Sequence, residues 1–157
     1  MLAAIRPDSW NLPLLVHVLG ASILVGGLVA ALASQVVGWA RESATGALQL
    51  ARVGFYALLL AAVPGWILMR VGADWIWREE GWDDVDSEPA WLGIGWITSE
   101  AGGLLVLVAT ILTGLGARRL RQSGSTASTL VRVATVLTAI ALIAYVVTMW
   151  AMAAKPD

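Results

Sequence analysis

The chain has 157 residues, of which 59% are hydrophobic and 13% are charged, and its formal net charge is −1. Soluble domains contain about half apolar and a quarter charged residues, so this composition is typical of a protein whose surface lies largely in lipid. The balanced charge gives no reason to expect nucleic acid as a partner, and the lack of cysteine excludes disulfides, iron–sulfur clusters and thiolate chemistry.

Four apolar segments are long enough to cross a lipid bilayer. A helix of about 20 residues spans a hydrocarbon core of about 30 Å, and lipid offers the backbone no other hydrogen-bond partners. The segments lack the alternation of barrel strands, so they predict helices. We therefore expect an all-α fold, an integral membrane four-helix bundle in one domain, residues 1–157, with a short Trp-rich extracytoplasmic loop between helices 2 and 3. The predicted helices cover approximately residues 11–40, 50–73, 91–118 and 128–154.

The first predicted helix carries the only histidine of the chain, His17. Small or apolar residues follow it on one helical face, at spacings of three or four: Gly20, Leu24, Gly27, Ala31 and Ser34. Small residues at such spacings allow another helix to approach closely within a membrane. We therefore expect His17 to lie between helices and not to face lipid.

The next two helices each carry one ionisable residue near the same end of the bundle. A polar loop, Arg41–Gln49, leads to a second helix that we expect to begin near residue 50, to kink at Pro64 and to reach Arg70. Glu100 lies about two turns into the third helix. Ionisable residues within membrane helices are costly and are therefore functional candidates. We expect His17, Arg70 and Glu100 to form an intramembrane polar cluster, with Glu100 paired to Arg70 or hydrogen-bonded to His17. The alternative is a packed polar cluster without chemistry.

The segment Asp74–Trp91 is the one substantial hydrophilic stretch and contains seven of the eleven acidic residues. Indole rings prefer the headgroup level of a membrane, and Trp75 and Trp82 are seven residues apart, a spacing that places both rings on one face of a short interfacial helix. The tryptophans expected at this outer loop are Trp75, Trp77, Trp82 and Trp91. The excess of tryptophans on this side of the membrane indicates an outer lobe with its own packing or a docking surface for a partner. The pattern of the segment itself predicts an anionic loop anchored by aromatic rings. A ligand-binding lid is the alternative.

The distribution of cationic residues predicts the orientation. The first and third loops with their flanking helical turns carry six arginines, whereas the opposite side carries four cationic residues. The six are Arg41, Arg52, Arg118, Arg119, Arg121 and Arg132. Cationic excess marks the cytoplasmic side. We therefore expect a multi-pass protein of the bacterial cell inner (cytoplasmic) membrane, with both termini extracytoplasmic.

Two kinds of chemistry fit the polar residues within the helices. Imidazole is the commonest metal ligand and thioether sulfur favours Cu(I), so a copper site, or a haem held by His17, is one alternative. Its candidate ligands are His17, Met69, Met149 and Met152. A proton or solute pathway that includes Glu100, His17, the helical threonines and Tyr145 is the second alternative. Nucleophilic triads, phosphate loops, paired catalytic carboxylates and an HExxH motif are all missing from the sequence, which favours a non-enzymatic role.

The run from His17 to Gly27, with Gly20-Ala21 and Val25-Gly26-Gly27, resembles the opening helix of CopD-like membrane proteins and of related small four-helix bacterial families. The resemblance covers about 15 residues, in which a histidine near the outer end precedes a glycine pair. CopD-type proteins are implicated in copper uptake, which the resemblance carries over to His17 alone. The first expectation is a small non-enzymatic integral membrane protein with a structural or accessory role. Its expected partners are the lipid bilayer and another membrane protein or a second copy.

Overall fold

The computed structural model describes residues 8–81 and 90–154, and within these ranges the chain consists of long helices without strands. After a 3₁₀ turn, Asp8–Trp10, the four helices are α1 (Asn11–Trp39), α2 (Ala44–Glu79), α3 (Ala90–Ser123) and α4 (Thr129–Ala154). All four are long and apolar enough to cross a membrane. The prediction of an all-α, multi-pass four-helix membrane bundle is therefore confirmed.

The second helix is longer at both ends than the sequence predicted. It begins at Ala44 and not near residue 50, because the Ser43 side chain accepts a 3.2 Å hydrogen bond from the backbone N–H of Gly46 and caps the helix. It continues to Glu79 and not to residue 73, so Trp75 and Trp77 belong to a helix, and their assignment to the loop was wrong.

The other loop tryptophans and the end of the third helix also differ from the prediction. Trp91 lies in the first turn of α3, which continues to Ser123 and not to residue 118. Trp82 falls outside the described residues. The Trp-rich feature between the second and third helices is therefore built largely on helix ends.

The irregularity expected at Pro64 takes the form of a π-helical turn, Leu58–Ala62, just before the proline. The backbone N–H of Val63 donates to the carbonyl of Leu58, five residues back. A proline removes one donor from the ladder of hydrogen bonds, and a π turn absorbs such a mismatch without ending the helix. The helix is continuous through the site where the sequence predicted a kink.

Helices α1 and α2 are antiparallel and meet along a seam of glycines. A Cβ atom added at any of four glycines would overlap the backbone of the other helix. The pairs are Gly20 with Met69, Gly27 with Ala62, Gly65 with Leu24 and Gly72 with His17. The residues predicted to form the packed stripe on α1 are buried as expected: Gly20, Leu24, Gly27, Ala31 and Ser34. The two backbones therefore touch, which is the close approach that small residues permit in membranes.

The centre of the bundle is filled by aliphatic side chains and Tyr145, and large apolar side chains cover its outside. Helix α1 packs beside α2 and α4, and α3 packs beside the same two helices. Gln35 on α1 reaches across the bundle, where its Nε2 donates a 3.0 Å hydrogen bond to Thr113 Oγ1 on α3. The apolar outer surface is what a bundle in lipid requires.

Candidate functional site

The two ends of the bundle differ in the residues they carry. We call the end where α1 and α3 begin the tryptophan end. Its described tryptophans are Trp10, Trp66, Trp75, Trp77, Trp91, Trp96 and Trp150. We call the other end the arginine end. Its arginines are Arg41, Arg52, Arg118, Arg119, Arg121 and Arg132. The predicted polar cluster lies at the tryptophan end.

Arg70 is the centre of the ionic contacts at the tryptophan end. Its Nε donates a 2.8 Å hydrogen bond to Glu100 Oε1 on α3, and its NH1 group pairs with Asp74 one turn further along α2. Its guanidinium carbon lies 4.3 Å from the ring centroid of Trp96, a cation–π contact. Of the two partners predicted for Glu100, the structure therefore forms the Arg70 pair.

The sequence reasoning missed Asp74 and Trp96 as partners of Arg70. Asp74 follows Arg70 by four residues, a spacing that brings two side chains together on a helix surface. This pairing was not predicted because the second helix was expected to end at residue 73, before Asp74. Trp96 lies one turn before Glu100 on α3, and its ring is packed edge-on by Trp77 at 5.3 Å between centroids. We call Arg70, Asp74, Trp77, Trp96 and Glu100 together the Arg70 cluster.

The Arg70 cluster is partly open to its surroundings and carries one negative charge in excess. Arg70 has 26% of its side chain exposed, whereas Glu100 has 62% exposed. Two carboxylates share the one guanidinium, so the cluster presents acceptor oxygens that its own cation does not fully use. The arrangement suits binding of a cationic or hydrogen-bond-donating group.

His17 is half-buried and makes its hydrogen bond to a backbone group of α2. Its Nδ1 lies 2.9 Å from the carbonyl oxygen of Met69. A carbonyl only accepts, so Nδ1 carries the hydrogen, and in the neutral ring Nε2 holds the lone pair. The close contact between His17 and Gly72 fixes this part of α1 against α2. His17 therefore lies between helices as predicted, and its hydrogen bond goes to Met69, the residue that precedes Arg70 on α2.

The predicted copper ligands have separate surroundings. The side chain of Met69 is packed in the central core, and it meets His17 through its backbone carbonyl. Met152 places its methyl group against Gly95, while Met149 is 51% exposed on the outside of α4. Residues 8–81 and 90–154 contain no group of three or more His, Cys, Asp or Glu side chains that could hold a metal ion. A closed copper site needs several donors around one point, and this donor set does not fit one.

The polar groups of the predicted pathway are mostly engaged locally. The hydroxyls of Thr110, Thr113, Thr135 and Thr138 each donate to a carbonyl of their own helix at 2.7–2.8 Å. In the described residues the hydroxyls of Ser99 and Tyr145 are buried without a partner, as is Oε1 of Gln35. Glu100 is exposed at the end of the bundle. The proton or solute pathway stays a prediction.

Two indole contacts that the sequence did not reveal tie the tryptophan end together. Trp66 Nε1 donates a 2.9 Å hydrogen bond to the carbonyl of Ser99, and Trp10 Nε1 donates a 3.2 Å hydrogen bond to the carbonyl of Glu79. Trp66 also fills the space over Gly103. These contacts hold α2 against α3 and the start of α1 against the end of α2.

Comparisons of the chain with protein-family models, with curated proteins and with solved structures found no match. The resemblance of the His17–Gly27 run to CopD-like membrane proteins therefore stays a prediction.

Proposed function

We propose that the chain is a non-enzymatic accessory or structural subunit of a membrane assembly, and that its tryptophan end contacts the partner. The observation that carries this proposal is the Arg70 cluster, which is joined by ion pairs, partly exposed and packed against two indole rings. Trp and Arg are enriched where proteins bind one another, since they combine large contact area with directed hydrogen bonds.

The charge balance of the cluster indicates the chemistry of the partner surface. Arg70 is bonded to both Asp74 and Glu100, and the more exposed carboxylate is Glu100. A lysine or an arginine that the partner brings to Glu100 restores the charge balance, whereas a backbone N–H supplies a hydrogen bond to the carboxylate without changing the charge. Trp75, which is also exposed at this end, supplies an apolar contact surface.

The interior of the bundle supports a scaffolding role. Backbone contacts along the glycine seam hold α1 tightly against α2. Rigid elements hold a binding surface in one geometry, which lowers the entropic cost of association.

Affinity purification from native membranes in a mild detergent tests the proposal. We expect a stoichiometric partner to co-purify with the native chain and to be lost or strongly reduced with Trp75→Ala and Glu100→Gln. The matched control is Trp39→Ala, an exposed indole at the arginine end, which is expected to retain the partner. A chain that purifies alone, or equal recovery with all variants, contradicts the proposal.

We further propose that the arginine end faces the cytoplasm of a bacterium and that both termini are extracytoplasmic. The support is that this end carries six arginines and a single acidic residue, Glu42. Because the chain has no cysteine, Arg78→Cys and Thr126→Cys each introduce one label site. A membrane-impermeant maleimide is expected to label Arg78→Cys in intact cells and Thr126→Cys only after permeabilisation. The reverse pattern contradicts the orientation.

A second candidate function, handling of haem or copper through His17, is favoured by one observation. The bond from Nδ1–H to the Met69 carbonyl is the arrangement that orients metal-binding histidines and leaves Nε2 available. Since the methionines do not complete a site, the other ligands belong to the cargo or to a second copy. Metal analysis and a visible spectrum of the purified chain test this: a Soret band or bound copper that His17→Ala removes supports it. Unchanged metal content or an unchanged spectrum in His17→Ala contradicts it.

A further inference from the structure

A groove lies between α2 and α3 at the arginine end, on the outer surface of the bundle. Its volume is about 390 Å³, within the range of roughly 300–1,000 Å³ that is typical of ligand sites. Its apolar wall is formed by residues that continue into the membrane segment, among them Phe55, Tyr56, Ile111 and Leu115. Tyr56 is 54% exposed, so this wall faces the surrounding lipid.

A glycine shapes the floor of the groove. The ring of Phe55 lies against Gly114, where its Cε2 atom is 2.9 Å from the position a Cβ would take. A larger residue at 114 would push the ring outward into the groove. The shape of the groove therefore depends on a glycine at position 114.

Three arginines line the polar part of the groove: Arg52, Arg118 and Arg121. Within the described residues these three arginines form no ion pair with a carboxylate. Arg52 lies about 12 Å along the axis from the start of α2, and Arg118 about 7.5 Å before the end of α3, so their guanidinium groups reach the headgroup level from two helices. Each guanidinium presents a planar fork of donors that matches the oxygens of a phosphate.

We propose that this groove binds an anionic phospholipid of the leaflet at the arginine end. Arg52, Arg118 and Arg121 hold the phosphate, and an acyl chain lies along the wall formed by Tyr56 and Leu115. The occupant is a lipid because the cationic site opens directly onto an apolar wall in the membrane segment. A cationic pocket between membrane helices complements the negative charge of such a headgroup.

Native mass spectrometry of the delipidated chain in a neutral detergent tests the proposal, with phosphatidylglycerol and phosphatidylcholine of identical acyl chains as probes. We expect the native chain to prefer phosphatidylglycerol. Each substitution of a groove arginine by glutamine is expected to lower that preference roughly fivefold, and the triple variant R52Q/R118Q/R121Q is expected to lose it. The matched control is R41Q/R119Q/R132Q, which removes the same charge from the same end but outside the groove, and is expected to keep the preference.

Two further measurements separate a lipid site from a general attraction to phosphate. Leu115→Trp fills the groove without changing charge, and is expected to weaken binding of phosphatidylglycerol while circular dichroism shows unchanged helicity. Glycerol phosphate at the same concentration, which lacks acyl chains, is expected not to displace the lipid. Equal losses in the groove and control triple variants, unchanged binding in Leu115→Trp, or displacement by glycerol phosphate would each overturn the proposal.

Discussion

The arginines at the two ends of the bundle have different partners. At the tryptophan end the guanidinium of Arg70 is bonded to two carboxylates and lies over an indole ring. At the arginine end Arg52, Arg118 and Arg121 line a groove, and none of the three pairs with a carboxylate of the described residues. In the Arg70 cluster the guanidinium is paired within the cluster, and carboxylate oxygens remain available to accept hydrogen bonds. In the groove, guanidinium N–H groups remain available to donate them. The same residue type therefore has opposite consequences at the two ends: Arg70 helps to hold α2 against α3, while the groove arginines are available to an anion.

The largest expected effect comes from the glycine seam, which fixes both ends relative to each other. At Gly27 a Cβ would lie 2.6 Å from the backbone nitrogen of Ala62, whereas at the adjacent Gly26 it would meet nothing within 4 Å. Gly27→Leu must separate α1 from α2, and we expect it to lower the free energy of unfolding by about 3 kcal/mol or more. Denaturation in detergent micelles, followed by circular dichroism, measures the loss.

Gly26→Leu is the matched control, since the added side chain points into open space beside the same seam. Its unfolding free energy is expected to stay within about 1 kcal/mol of the native value, with helix propensity improved over glycine. Equal losses in the two variants would mean that the seam does not join the helices as described.

The architecture was predictable because the bilayer itself sets the length and composition of its helices. The packed stripe on α1 followed from the spacing of small residues. Arg70 was one of the two partners expected for Glu100 from their similar depth in antiparallel helices, and the sequence left the choice between Arg70 and His17 open.

The helix ends were not predictable from hydropathy. The first turns of α2 include Thr45, Gly46 and Gln49, and its last turns carry Asp74 and Trp75. Neither stretch is strongly apolar, so both were assigned to loops although both are helical.

The contacts that depend on the rotation of each helix about its axis could not be predicted from the sequence either. Whether Trp96 covers Arg70, or Met152 turns toward Gly95, is decided by which faces of α2, α3 and α4 meet. The groove of the arginine end was missed for the same reason. Its arginines were counted for orientation, but their convergence around one space requires the packing of α2 against α3.

The next largest effect tests the contrast between the two ends directly. Arg70→Ala leaves the carboxylates of Asp74 and Glu100 without their cation and removes the contact with Trp96. Both carboxylates are more than a third exposed, so water screens part of the loss, and we expect a cost of about 1–2 kcal/mol in unfolding free energy. Arg119→Ala, which removes an exposed arginine from the other end, is expected to change it by less than about 0.5 kcal/mol. Equal effects would show that Arg70 and Arg119 do not differ in structural role.

The smallest effect concerns the start of α2 at the arginine end. There the helix is capped by the neutral side chain of Ser43, whereas near its other end it is held by the ion pairs of Arg70. Ser43 Oγ accepts the hydrogen bond from Gly46, so Ser43→Ala leaves that donor to solvent and is expected to cost about 0.5–1 kcal/mol. Ser43→Gly retains a favoured N-cap backbone and is expected to cost only a few tenths of a kcal/mol. Hydrogen exchange of the Gly46 amide is the sharper readout, because fraying of the first turn raises its rate in Ser43→Ala while amides in the glycine seam keep theirs. A rise in exchange along the whole of α2 would instead mean that Ser43 stabilises the helix as a unit, and that the two ends of α2 are not secured independently.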